Sequence, residues 1–110
     1  MIIITHELFL RTEEGEKTIG ISVHKPVAAG PSWSCRYEID WPEGKQDRKA
    51  VGFDALQALV LALQMIGADI YTSAYHREGR LRAYEKERGY GFPVPSSLRD
   101  MLVGADAVAF

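Results

Sequence analysis

The sequence predicts an α+β fold: a four-stranded antiparallel sheet in the N-terminal half, packed against one long helix, with an irregular strap and a short C-terminal helix. Three observations carry this. Apolar and polar residues alternate along four runs before residue 54. An apolar stretch with helical spacing begins at Ala55. Glycine and proline then break all periodicity in "GYGFPVP", residues 89–95.

In "IIITHELFLR", Ile2, Ile4, His6, Leu8 and Leu10 share one face of a strand, and Ile3, Thr5, Glu7, Phe9 and Arg11 the other. This strand is apolar on both faces, so the sequence does not say which one the helix covers. "TEEGE" is a polar turn at Gly15, and "KTIGISVHK" returns as the second strand with Ile19, Ile21 and Val23 on one side. "PVAAGPS" interrupts the pattern. "WSCRYEIDW" has the clearest alternation, with Trp33, Cys35, Tyr37, Ile39 and Trp41 inward and Ser34, Arg36, Glu38 and Asp40 outward. "PEGK" turns into "QDRKAVGF", a weaker fourth strand whose lysine and arginine suit a place at or near an edge.

Asp54 starts the helix, with Gln57 at the capping-box position. The helical pattern runs to His76, with Leu56, Leu59, Leu63, Ile66 and Ile70 as its buried stripe. Val60, Leu61 and Met65 make the flanks apolar too, so cover is expected from the C-terminal segment or from a second copy in a homodimer. A turn at Glu78-Gly79 and a short strand or turn over Leu81 to Tyr84 come next. Ser97 and Asp100 signal a cap for a short helix "LRDMLV", stopped by Gly104, and Val108 and Phe110 are expected to dock the tail.

The chain of 110 residues suits one domain over residues 1–110. Its 46% apolar and 25% charged content is that of an ordered globular protein. A net charge of -2 argues against a nucleic-acid binder. Arg77, Arg80, Arg82, Lys86 and Arg88 lie near Tyr75 and Tyr84, as a single-strand site would require, but Glu78, Glu85 and Glu87 offset them. One cysteine, Cys35, allows no internal disulfide and suits a reducing compartment. The start has no signal-peptide pattern, and the apolar stretch Ala55 to Ile66 is shorter than the roughly 20 residues a membrane span needs. A cytoplasmic protein, with no membrane or nucleic-acid partner, is expected.

No catalytic set stands out. His6 and His24 come near each other if the first hairpin turns at Gly15, with Cys35 as a third metal ligand, but Cys35 alternates with core aromatics. No Gly-x-Ser-x-Gly elbow or phosphate loop is present. The expectation is no enzyme, no cofactor and no metal. The more suggestive feature is acidic. Glu13, Glu14 and Glu16 crowd the first hairpin turn, and Asp40, Glu43 and Asp47 surround the second. If both turns share one end of the sheet, they form an edge for a basic partner. For "GYGFPVP" two readings stand: a strap in which Phe92, Val94 and Leu98 plug the helix flank, which is favoured, and a ligand loop with Tyr90 and Phe92 as stacking groups over a cleft.

"GFDALQALVLALQMIGADIY", "GYGFPVP" and "LRDML" together resemble a family of small, uncharacterised bacterial proteins. These pair a Gly-Phe-x-x-x-Gln-Ala-Leu helix start with a Gly-Phe-Pro segment. The resemblance covers the C-terminal half and carries over no catalytic residue. Some small bacterial proteins of this kind look like immunity proteins. That implies a non-enzymatic binding module neutralising a cognate toxin domain, against the alternative of a small-molecule or enzymatic module using a cleft under residues 89–95.

Overall fold

The alternating runs become strands because one face of each can be buried against the helix while the other stays wet. The structure is a computed structural model and describes residues 1–83 and 89–110. β1 (Ile2–Thr12) and β2 (Gly15–His24) pair as an antiparallel hairpin, with Thr12 opposite Gly15. β3 (Val27–Ala29) and the middle of β2 pair along the same edge of β4 (Ser32–Trp41), and β5 (Gly44–Gly52) runs along its other edge from Gly44 to Gly52. β6 (Leu81–Arg82) adds to the outer side of β1 at Phe9 and Leu10.

Six strands are therefore described where four were expected, all antiparallel. Both additions have physical reasons. Proline 26 has no amide to donate, so the β2 ladder stops and resumes as β3 beyond it, within the stretch read as a break. β6 realises the strand-or-turn expected at Leu81, Ala83 follows it as a buried bend, and Tyr84, Glu85, Lys86, Glu87 and Arg88 lie outside the described residues. β5 sits at the sheet edge, as its charged sequence suggested.

α1 (Ala55–Tyr71) starts as its cap predicts. The Asp54 side chain accepts from the Gln57 amide at 2.7 Å, and Gln57 Oε1 accepts from the Phe53 amide at 2.6 Å. It ends five residues before His76. Thr72 Oγ1 donates to the Ala68 carbonyl and Ser73 Oγ to the Ile70 carbonyl, each at 2.7 Å. Ser73 then caps a separate turn, α2 (Ala74–Arg77). Hydroxyls that bond backwards to carbonyls end a helix that apolar spacing alone would continue.

The buried line of α1 is Ala58, Ala62, Ile66 and Ile70. The expected leucine stripe is displaced: Leu56 is 70% exposed, and Leu59 and Leu63 are half-buried. Alanines let the helix axis approach the sheet closely, and larger leucines at the contact would hold it off. Across from that line lie Leu8, Leu10, Ile19, Ile21, Val23, Cys35, Tyr37 and Ile39, all buried. This settles which face of β1 turns to the helix. Full burial of each large aliphatic side chain contributes about 1.5–3 kcal/mol before chain entropy is counted.

The strap, residues 89–95, covers the other flank of α1. Tyr90, Phe92 and Val94 are buried, and His6 meets the Phe92 ring edge-on at 5.2 Å. The contact is tightest at Gly67, where an added Cβ would lie 1.8 Å from the Pro93 carbonyl oxygen. A 3₁₀ helix (Ser96–Met101) follows, with Pro95 before it and no side-chain cap, so the Ser97–Asp100 cap does not form. Leu98, Met101, Leu102 and Val103 lean on the core. α3 (Ala105–Ala109) corrects another expectation: Val108 is 91% exposed, Phe110 is exposed, and Asp106 is buried instead.

Candidate partner-binding end of the sheet

β1 and β4 run in the same direction, with β2 antiparallel between them. The β1–β2 and β4–β5 turns therefore project from the same end of the sheet, and their acidic residues do share it. Glu13 and Glu14 are exposed and enter no ion pair among the described residues. With Arg11, Thr12, Lys17 and Arg80 they line a surface depression of about 560 Å³. Glu43 Oε1 accepts from the Tyr75 hydroxyl at 2.7 Å. Asp40 stands 3.9 Å from the Lys45 ammonium, a loose and exposed pair.

The other two acidic residues are held by arginine forks. Arg82 donates to both carboxylate oxygens of Glu16, at 3.0 and 2.6 Å, with its guanidinium 4.7 Å from the centre of the Phe9 ring. Arg36 holds Asp47 the same way, at 2.8 and 2.6 Å, and that fork keeps the Asp47 carboxyl below its ordinary range. Asp47 lies on the solvent face of β5, next to a charged cluster in which Glu38 takes His24 at 2.6 Å and Lys45 at 3.0 Å. Those two bonds, the histidine's first, lower the Glu38 carboxyl.

Beside Glu43 is a feature that alternation did not disclose. Trp41 and Tyr75 stack with centroids 5.5 Å apart and planes at 25°. The Arg80 guanidinium stands 5.5 Å over the Tyr75 ring. Trp41 Nε1 donates to Gln46 Oε1 at 2.8 Å. Together with Asp69 and Ser73 these aromatics line a cleft of about 620 Å³ between the β4–β5 turn and the end of α1. Asp69 is fixed on the cleft wall by the Tyr37 hydroxyl and by Arg48, the latter at 2.9 Å. Alternation along β4 places Trp41 on the core face. It keeps that orientation, but the strand carries it past the buried line of α1, so the ring is only partly covered. Its place next to the "WPEG" turn was the available signal.

The remaining candidates separate. His6 faces the strap, and its Nε2 donates to the Tyr90 carbonyl at 3.1 Å. His24 bonds Glu38 on the opposite, solvent face, so the two histidines do not meet across the hairpin. Cys35 is fully buried and donates to the His24 carbonyl at 3.3 Å; burial pushes its thiol above the ordinary value. Among the described residues no three His, Cys, Asp or Glu side chains gather as a metal site would need. No described helix is long and apolar enough to cross a membrane. Of the basic segment, Arg80 and Arg82 are engaged as above, and Lys86 and Arg88 lie outside the described residues.

Tyr90 and Phe92 turn inward and offer no free stacking face. The Tyr90 hydroxyl is hydrogen-bonded to His76 Nδ1 at 2.5 Å, within an edge-to-face cluster of Tyr71, His76 and Tyr90. Burial first, then the charge of Asp106, pushes the Tyr90 hydroxyl up to about 12. Burial lowers His76.

Neither the curated proteins nor the solved structures contain a match to this chain. A family match does exist, over residues 4–94. Those residues take in all six strands but for the first positions of β1, both α1 and α2, the acidic end, and the strap as far as Val94. The chain thus belongs to the family described as Domain of unknown function (DUF6968).

Proposed function

We propose that this chain is a non-enzymatic protein-binding module whose acidic end meets a basic partner. The observation that carries the reading is the convergence of Glu13, Glu14, Asp40 and Glu43 with the stacked Trp41–Tyr75 pair at one end of the sheet. Exposed carboxylates that no arginine fork neutralises speed and orient the approach of a basic surface. Tryptophan, tyrosine and arginine side chains supply most of the binding energy where they become desolvated. Trp41, Tyr75 and Arg80 already stand in one place, ordered by their own contacts. The resemblance to small bacterial proteins extends this to an immunity protein in the cytoplasm, which blocks a toxin domain by covering its active site or nucleic-acid surface.

The test compares the tagged chain with Glu13→Lys/Glu14→Lys/Glu43→Lys and with Trp41→Ala in host lysate. A stoichiometric basic polypeptide should be retained by the parent chain. Charge reversal should weaken it at least tenfold at low salt and less at high salt. Trp41→Ala should cost about 2 kcal/mol, roughly thirtyfold. Retention that both folded variants leave unchanged overturns the reading.

A second reading is favoured by one patch. Val51, Phe53, Leu56 and Val60 are exposed at the start of α1, Phe53 at 86%. A second copy seated there would give a homodimer. Sedimentation velocity over a hundredfold concentration range distinguishes it from a monomer.

A further inference from the structure

Asp106 is the one charged side chain fully buried among the described residues, at 2% exposure. It belongs to α3, whose other residues are all exposed. Its carboxylate is completely engaged. Oδ2 accepts from the Tyr71 hydroxyl at 2.5 Å and from the Tyr90 amide at 2.7 Å, and Oδ1 accepts from the Gly91 amide at 2.8 Å. A Cβ on residue 89 would lie 2.6 Å from Oδ1, so the strap is shaped around the carboxylate and glycine is required there. Successive backbone amides turned to one side form a concave anion seat.

The seat and its occupant are held very differently. Tyr71 ends α1, and Tyr90 and Phe92 are packed into the core. The 104–110 segment has little else to hold it: Arg99 donates to the Phe110 carbonyl at 2.8 and 3.1 Å, while Ala105, Ala107, Val108 and Ala109 face solvent. Gly104, with φ 58°, separates it from the core-packed Leu102 and Val103. The family match, residues 4–94, contains the seat and not Asp106. Beside the seat is a cavity of about 590 Å³ whose walls include His76, Leu81, Tyr90, Leu102, Val103 and Ala107.

We propose that Gly89–Gly91 and Tyr71 form a carboxylate-binding site, which Asp106 fills in cis and vacates for a carboxylate-bearing ligand. An incoming carboxylate replaces all three hydrogen bonds, so the exchange loses only the weak docking of the 104–110 segment. The cavity accepts the apolar remainder of the ligand, with Leu81, Leu102 and Val103 as its floor. The ligand is an acidic peptide side chain or a small carboxylic acid. This site is separate from the acidic end, and neither proposal depends on the other.

Amide NMR spectra of the full chain and of Asp106→Ala test this. Each is titrated with sodium acetate, with the acetylated peptide Gly-Ala-Asp-Ala-Val-Ala-Phe, and with the same peptide carrying Ala for Asp. In folded Asp106→Ala the Tyr90 and Gly91 amides should shift with the Asp peptide and not with the Ala peptide. Saturation should need at least about tenfold less peptide than in the parent chain, where the tethered carboxylate competes. Equal shifts with acetate identify a small-acid site, and shifts with peptide alone identify a peptide site. An Asp106→Ala chain that does not fold, or that folds and shows no shift at Tyr90 and Gly91 with either carboxylate, overturns the proposal. So does a parent chain whose Tyr90 and Gly91 amides exchange with solvent only at the rate of global unfolding.

Discussion

α1 is covered in two ways. Towards the sheet it presents alanines and isoleucines to β4 and β5, so the contact is mainly one of apolar volume, closing to backbone only at its start, where a Cβ on Gly52 would lie 2.6 Å from the Ala58 nitrogen. Towards the strap it presents Gly67 to the Pro93 carbonyl oxygen, so the contact is backbone against helix, with Tyr90, Phe92 and Val94 sealing around it. A volume contact adjusts by small shifts of side chains. A backbone contact has nothing to shift except the strap itself, and the strap is stiffened by Pro93 and Pro95. The same helix therefore has a sheet side that is tolerant beyond its first turn at Gly52 and a strap side that is intolerant at its middle.

The sharpest way to break this comparison is Gly67→Ala. Alanine would favour the helix by about 1 kcal/mol on propensity. The clash at 1.8 Å should outweigh that and destabilise the chain by about 3 kcal/mol or more, measured by urea unfolding. A neutral or stabilised variant would show that the strap yields. On the tolerant side, Ile39→Val removes one buried methylene and should cost about 1 kcal/mol, with the midpoint lowered and the slope unchanged. A loss as large as that of Gly67→Ala would erase the distinction. The smallest effect sharpens the strap side. His76, bonded to Tyr90, is lowered from its ordinary value by burial. Below about pH 6.5 the unfolded chain binds a proton that the folded ring resists. Stability should then decline as pH falls from 6.5 through the lowered value, the least of the three effects. His76→Gln should flatten that part of the profile, and an unchanged slope assigns it to other groups.

The same contrast explains what was legible in the sequence. Strands β1, β2, β4 and β5 announce themselves because alternation is a local consequence of burying one face, and "WSCRYEIDW" shows it without ambiguity. The cap at Asp54 is local too. The strap was legible as irregular, and the apolar flank of α1 called for a cover. What could not be read depends on partners distant in sequence. Ala58 and Ala62 are the true contact line because the sheet comes close, which spacing alone cannot distinguish from a leucine stripe. Trp41 and Tyr75 become a pair only when α2 is placed over the β4–β5 turn. Asp106 is an acidic residue in an alanine-rich tail, and nothing local indicates that the strap holds three donors for it. Its one trace is the pair of glycines around Tyr90, which could have been read as an internal anion seat. Convergence of the two acidic turns was readable as a possibility, since it follows from strand count, but the arginine forks at Glu16 and Asp47 were not.

The hydrogen bond from His6 to the Tyr90 carbonyl joins residues 84 positions apart. The hairpin of β1 and β2 closes over a two-residue turn and can form in about 1–10 μs. The first strand is thus able to pair on its inner side long before the strap exists to seal its buried face, and the entropy of closing so long a loop is met only once the sheet and α1 are in place. The strap is a late arrival on the folding path and an early departure from it. Damage there should show itself in how quickly the protein comes apart, while the rate at which it assembles stays almost unchanged.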